Sequence, residues 1–331
     1  MPSGHGDEEP ETSYGELYRV CLRSQRCGYE PGMMSKDFYQ NTWSPTLKAE
    51  LKKLLELALR EDCDARGDLT SRALIAESVW GAAAVTARED GVLAGSPAVA
   101  VILQTVDPLL QWNPRLEDGA ALQPGSVIGE ISGPVRSLLT AERIVLNLMG
   151  RLSGIATLTK RFTEAVDGTV ARIYDTRKTT LGWRRLEKYA VRCGGGRNHR
   201  TGLFDAVLIK DNHLAFGKES GTFEPADAVR KARAFLNDTE AIIEIEVDTL
   251  EQLQAVLPAA PDIVLLDNMS PETLKQAVEI RNGAAPDVEL EASGGVNLST
   301  VRAVAESGVE RISVGALTHS AIGLDLGLDW K

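Results

Sequence analysis

Ten arginines and lysines stand between Arg172 and Lys210, against three acids (Asp175, Glu187, Asp205), a local balance of +7. The rest of the chain sums to −18. An acidic protein with one cationic stretch is suited to a small, densely charged anion. Nucleic acid usually selects a broad basic face and a high pI, so the pattern argues against it. Arg177, Lys178, His199, Arg200 and Lys210 are the residues to watch. Arg offers a planar fork to carboxylates, and Lys a point charge to phosphate. Each charge-assisted hydrogen bond contributes roughly 1.5–3 kcal/mol, so several converging on one dianion give substantial affinity. Arg185 and Glu187, with Arg184, Arg192 and Arg197, read instead as a solvated charged face.

Two acids follow the cations. Glu246 and Asp267 end the apolar runs Ile-Glu-Ile-Glu-Val and Val-Leu-Leu-Asp. Buried carboxylates cost free energy unless paired or metal-bound. Beside a cationic pocket they suit Mg²⁺ held with a phosphate substrate, stabilisation of a developing sugar cation, or an ion pair across the site. Glu244 has the same parity as Glu246 and points the same way along a strand; spacing alone does not divide their roles. Ser293-Gly294-Gly295 and Gly315-Ala316-Leu317 follow the last two apolar runs. Glycine admits close backbone approach, and the N–H groups of a following helix bind phosphate. Gly194-Gly195-Gly196 follows a helical segment and reads as a cap and loop.

These residues need a scaffold. Apolar runs at Val170–Tyr174, Ala206–Ile209, Ile242–Val247, Ile263–Leu266, Val288–Glu291 and Ile312–Val314 alternate with helical segments at 181–191, 225–236, 249–257, 271–281 and 298–307. That rhythm predicts parallel strands covered by helices. Asp175 or Thr176, Lys210, Glu246, Asp267, Ser293 and Gly315 sit at the strands' C-terminal ends. In a closed βα barrel these ends meet at one mouth, whereas in an open sheet only those near a switch point do, so the barrel is favoured. Before a long helix near 140–166, short runs at Gly81–Ala87, Gly91–Ala94, Gln111–Leu116 and Val127–Ser132, with a helix near 96–105, indicate a small α+β unit. Arg66–Ser71 reads as a turn. Leu47, Leu51, Leu54, Leu55 and Ala58 keep helical spacing.

The organisation expected is an extension over 1–44, poorly ordered at least to residue 33, with Met33 or Met34 as alternative starts. An α/β domain follows over 45–155 and a barrel domain over 156–319, with 320–331 available to pack back on the former. No apolar run approaches 18 residues and the N-terminus lacks a secretory apolar segment. Four scattered cysteines (21, 27, 63, 193) without CxxC spacing fit reduced thiols and a cytoplasmic location.

Several long motifs in order resemble quinolinate phosphoribosyltransferase, the decarboxylating enzyme that makes nicotinate mononucleotide. They include RGDLTS (66–71), AREDGVLAG (87–95), PGSVIGEISG (124–133), AERIVLNLMGRLSGIAT (141–157), TRKTT (176–180), EKYAV (187–191), GGGRNHR (194–200), LIKDNH (208–213), EIEV (244–247), LLDN (265–268), EASGG (291–295) and VGALTHS (314–320). The resemblance implies a mixed α/β N-terminal sandwich domain on an incomplete, seven-stranded α/β barrel. It also implies a homodimer, each site completed by the partner's N-terminal domain. Arg177, His199, Arg200 and Lys210 would bind quinolinate, with Thr176 lining the pocket and Arg143 reaching it from the neighbouring subunit. Lys178, Ser293, Gly294, Gly295, Gly315 and His319 would contact phosphoribosyl pyrophosphate. Glu246 and Asp267 would lie near the ribose and Mg²⁺, so that Glu246, Asp267, Lys178 and Lys210 form the catalytic set. Leu181 stands where the family commonly has proline. The competing expectations are a related transferase with another acceptor and a non-catalytic sensor of phosphoribosyl pyrophosphate. Retention of every cation and both acids weighs against each.

Overall fold

A computed structural model describes residues 37–217, 224–237 and 240–331; the expectations for residues 1–33 lie outside them. The helix Pro45–Cys63 starts where Ser44 Oγ accepts the Leu47 N–H (3.2 Å) and Pro45 presets the first turn. It buries Leu47, Leu51 and Leu55. Arg66–Ser71 is more than the expected turn. Asp68 accepts the Ser71 N–H (3.0 Å) and nucleates a helix at Leu69–Leu74.

Four strands form an antiparallel sheet in the order β12-β1-β5-β3: β1 Trp80–Ala87, β3 Gln111–Pro114, β5 Val127–Pro134 and β12 Leu326–Trp330. The C-terminal strand β12 pairs with β1, Ala83 opposite Trp330 and Ala87 opposite Leu326. β2 (Gly91–Val92) and β4 (Ala121–Leu122) make a separate short pair. The helix Ser96–Val106 covers this part with Val99, Ile102 and Leu103 fully buried or nearly so. The long helix Val135–Ala165 begins earlier than its apolar pattern implies, because the chain passes into it directly from β5 at Pro134.

Six parallel strands form the second sheet in the order β6-β11-β10-β9-β8-β7: β6 Arg172–Tyr174, β7 Val207–Ile209, β8 Ile243–Val247, β9 Ile263–Asp267, β10 Glu289–Ser293 and β11 Arg311–Ser313. A seventh stave is reduced to one residue. Arg197 bridges Tyr174 in parallel, its N–H donating to Ile173 O (2.8 Å) and its carbonyl accepting the Asp175 N–H (3.0 Å). No backbone ladder among the described residues joins it to β7, so the fold is an incomplete α/β barrel together with a mixed α/β unit built on the antiparallel sheet. Parallel register sets Ser293 beside Asp267 and Glu246 beside Leu265, which brings the strand ends together. No helix among the described residues is long and apolar enough to cross a membrane.

Candidate active site

A cavity of about 800 Å³ opens at the C-terminal ends of the parallel strands. Thr176, Arg177, Lys178, His199, Arg200, Lys210, Glu246, Asp267, Ser293, Gly294, Gly295, Gly315 and His319 all line it. Arg143 does not; it is exposed on the long helix. Asp175 also stays out of the cavity. It is fully buried and paired with Lys188, itself without exposure.

The cations have few partners of their own. Arg177 Nε is buried with no hydrogen-bond partner among the described residues. Arg200 Nη1 reaches only a neutral acceptor, Ala206 O (3.2 Å). Burial and the neighbouring Arg177 press the pKa of Arg200, and likewise that of Arg184, below the usual guanidinium value. Clustered, desolvated guanidiniums with no direct ion pair among the described residues favour an incoming anion. Lys210 is tied instead to Glu246, and Asp267 Oδ2 accepts Asn268 Nδ2 (2.7 Å).

Close approach requires glycine at one position of the site and favours it at a second. A Cβ at Gly294 (φ +98°) would stand 2.1 Å from Asn268 Oδ1, and one at Gly315 would meet Lys178 Cδ at 2.9 Å. Lys178 therefore lies against the loop after β11. The Thr318 hydroxyl donates to Lys178 O (2.8 Å) and fixes that arrangement.

A sequence model described as quinolinate phosphoribosyl transferase, C-terminal domain, matches residues 155–329, and the corresponding N-terminal domain matches 68–153. The chain is 44% identical over 274 residues to the nicotinate-nucleotide pyrophosphorylase (carboxylating) of Mycobacterium leprae, covering 82% of this chain and 94% of that one. It is 41% identical over 296 residues to the chloroplastic nicotinate-nucleotide pyrophosphorylase (carboxylating) of Arabidopsis thaliana, covering 84% and 82%. The solved nicotinate-nucleotide pyrophosphorylase of Francisella tularensis superposes with a TM-score of 0.80 at 37% identity, over 89% of this chain and all of that one. The chain belongs to the quinolinate phosphoribosyltransferase family.

Within this phosphoribosyltransferase the site's floor is a buried charged layer that sequence reasoning missed. Glu187, read as part of a solvated face, is fully buried. Its carboxylate takes Arg151 Nη2 (2.7 Å), the Thr180 hydroxyl (2.8 Å) and the Thr180 N–H (3.1 Å). The helix Arg184–Cys193 is packed against the long helix, so its charged pattern faces partners rather than water. Arg185 is mostly buried too and pairs with Glu50 (2.9 Å), while Arg197 pairs with Asp37. Gly194 is the helix cap, as its position in the sequence implies.

Glu244 and Glu246 do share a strand face, but at different depths. Glu246 reaches the cavity, whereas Glu244 is fully buried, 2.9 Å from His199 Nε2. Glu291, 3.4 Å from the same nitrogen, completes the group. Burial opposes an imidazolium here, yet the two carboxylates outweigh it and push His199 up to about 10. The trio thus keeps an extra proton at neutral pH. The Arg200 N–H donates to His199 Nδ1 (2.8 Å), so that proton cannot sit on Nδ1. Burial also raises the pKa of Glu244, so the extra proton belongs to the trio rather than to one of its members. At Glu291 burial is outweighed by the charges of His199 and of Arg311 (3.8 Å), which hold its pKa below the ordinary carboxylate range. Asn268, at φ +53° beside Asp267, is a further cavity residue; its place in the LLDN run was the available signal. Leu181, the departure from the family pattern, is 89% exposed and outside the cavity.

Proposed function

We propose that this chain transfers the phosphoribosyl group of 5-phosphoribosyl 1-pyrophosphate to quinolinate with decarboxylation, giving nicotinate mononucleotide, carbon dioxide and pyrophosphate. The observation that carries the reading is the set of desolvated guanidiniums without acidic partners, Arg177 above all, at one end of a cavity. The other end has glycine turns and Lys178, suited to phosphate.

Arg177, Arg200 and Lys210 hold the two acceptor carboxylates, with His199 and Thr176 against the ring. Lys178, Ser293, Gly294, Gly295, Gly315 and His319 hold the phosphoribosyl donor. As the C1′–O bond to pyrophosphate breaks, positive charge grows on the ribose near Glu246 and Asp267. At about 4 Å and an effective dielectric near 20, one such charge pair contributes about 4 kcal/mol before desolvation. The ring nitrogen bonds to C1′, and the resulting pyridinium draws in the electron pair of the adjacent C–carboxylate bond. Carbon dioxide leaves, and the vacated carbon takes a proton. The second carboxylate stays on the arginines and keeps the ring oriented.

Glu246, Asp267 and the Asn268 amide form an all-oxygen donor set at the ends of β8 and β9, which suits Mg²⁺. The ion would neutralise the leaving pyrophosphate. The working unit is proposed as a cytoplasmic homodimer, with Arg143 entering the partner's cavity; its exposure and position outside its own cavity support this.

The test is a product assay with purified protein, Mg²⁺, phosphoribosyl pyrophosphate and either quinolinate or nicotinate. Nicotinate mononucleotide and carbon dioxide from quinolinate alone are expected. Turnover with nicotinate only would assign a related transferase, and silence with both, alongside donor binding, a sensor.

A further inference from the structure

Five residues that precede both family-matched segments complete the barrel where its own strands do not. Along the seventh stave Arg197 spends its N–H and carbonyl on β6, so those of Asn198 turn to the opposite, open edge. Gln40 takes both. Its Oε1 accepts the Asn198 N–H (2.8 Å), and its Nε2 donates to Asn198 O (3.1 Å) and to Phe38 O (2.8 Å). A primary amide carries one acceptor and two donors, so it substitutes for the peptide of an absent neighbouring strand. Asn41 adds its N–H (2.7 Å) and Nδ2 (3.1 Å) on Asn198 Oδ1.

The same segment fills the space behind the catalytic end. Phe38 is buried among Tyr174, Ala206 and Ile263, the last two at the N-terminal ends of β7 and β9, away from the cavity. Its ring stacks on His199, with centroids 4.3 Å apart and planes 29° apart. The Arg311 guanidinium lies 5.2 Å from the Phe38 centroid. Asp37 anchors the strap by accepting Arg311 Nη2 (3.1 Å), the Tyr174 hydroxyl (3.1 Å) and Arg197. His199 is therefore held on one face by Phe38 and at its edge by Glu244 and the Arg200 N–H.

We propose that Asp37–Asn41 acts as a substitute stave, with Phe38 and Gln40 as positioning residues that set His199 and Arg200 for the acceptor's carboxylates. This rests on the function proposed above and names which half of the site the strap serves. Lys178 and Gly315 stand on the loops after β6 and β11, joined through Thr318 to Lys178 O, and Ser293 ends β10 beside Asp267 of β9. The strap meets β6 and β11 only behind these loops, at Tyr174 and Arg311. Phe38 and Gln40 touch His199 and Asn198 directly, so loosening those two side chains acts first on the acceptor.

The experiment measures KM for quinolinate and for phosphoribosyl pyrophosphate, with Mg²⁺, in the full chain and its Phe38→Leu and Gln40→Ala variants, alongside Tm. Phe38→Leu keeps an apolar filler but loses the stacking. Gln40→Ala removes a partly exposed side chain and serves if the first variant does not fold. A rise of about tenfold in quinolinate KM, with the donor KM within twofold, is expected for each. Unchanged quinolinate KM, whatever happens to Tm, would overturn the proposal, as would an equal rise in both constants. Lack of quinolinate turnover by the unaltered chain would instead overturn the proposed function and this inference with it.

Discussion

Lys188→Met tests the buried layer most directly. The Lys188 ammonium has no exposure and donates to Asp175 and to His199 O (2.9 Å). Asp175 is equally buried and also accepts the His199 N–H (2.8 Å) and Asn198 Nδ2 (2.7 Å). Methionine keeps the length and apolar stem but leaves Asp175 a buried anion with two hydrogen bonds and no cation. Removing one member of a buried pair costs about 3–5 kcal/mol, and the stranded His199 carbonyl lies inside that figure. Asp175→Asn in the same background relieves the uncompensated charge, so the double variant should cost about 2 kcal/mol less than the two singles added together. Urea unfolding of the three variants, followed by far-ultraviolet circular dichroism, gives the cycle. Because Asp175 and Lys188 grip residues 198 and 199, quinolinate KM should rise in Lys188→Met as well. A loss under about 1 kcal/mol, or strict additivity, would refute the reasoning.

Arg177→Lys keeps the charge but removes the planar fork whose Nε waits unpaired; kcat/KM for quinolinate should fall about 10–150-fold, the equivalent of one charged hydrogen bond, with donor KM unchanged in steady-state assays. Glu246→Gln releases Lys210 and removes one proposed Mg²⁺ oxygen; turnover should drop at least about 100-fold and the half-saturating Mg²⁺ concentration rise, while calorimetry still detects quinolinate. Asp68→Ala should cost about 1 kcal/mol at pH 7 by uncapping Leu69–Leu74. The Ser71 hydroxyl and amide hold the Asp68 carboxyl below its ordinary 3.8. Its contribution is therefore present above that value and lost as pH falls through the lower folded one. The Tm gap between wild type and variant should hold steady from pH 7 to about pH 4 and narrow as pH falls below 3.8, and a gap that stays constant there would exclude the charged cap.

The strand ends were legible because parity and position suffice: Thr176, Lys210, Glu246, Asp267, Ser293 and Gly315 each follow an apolar run, and all six meet in the cavity. What stayed hidden depends on contacts between distant segments. Nothing local distinguishes Glu187 from Arg185, since the carboxylate becomes internal only when Arg151, 36 residues away, lies against it. The Arg197 stave is a single bridge and leaves no periodicity to read. Gln40 is a plain polar residue until Asn198 is placed beside it. For β12 the sequence suggests only that 320–331 can pack back on the N-terminal domain; its strand register with β1 depends on segments far apart in the chain.

The hidden layer explains how the legible one persists. Burial first, and then the charge of Arg177, lowers the pKa values of Arg184 and Arg200. Such a cluster would splay apart on flexible supports. Its backbone is instead pinned from below by acids that never reach the cavity as ligands. Asp175 holds the His199 N–H and Asn198. Glu187 holds Thr180. Asp205 holds the Thr201 N–H (2.6 Å) and the Gly202 N–H (3.0 Å). These are the three acids of the cationic stretch. Each is spent on fixing the backbone of a segment that carries the arginines, and among the described residues none forms an ion pair with Arg177 or Arg200. Half of the ten cations are themselves paired, so what the +7 stretch offers an anionic substrate is chiefly Arg177 and Arg200, left open because the nearby acids are committed to structure.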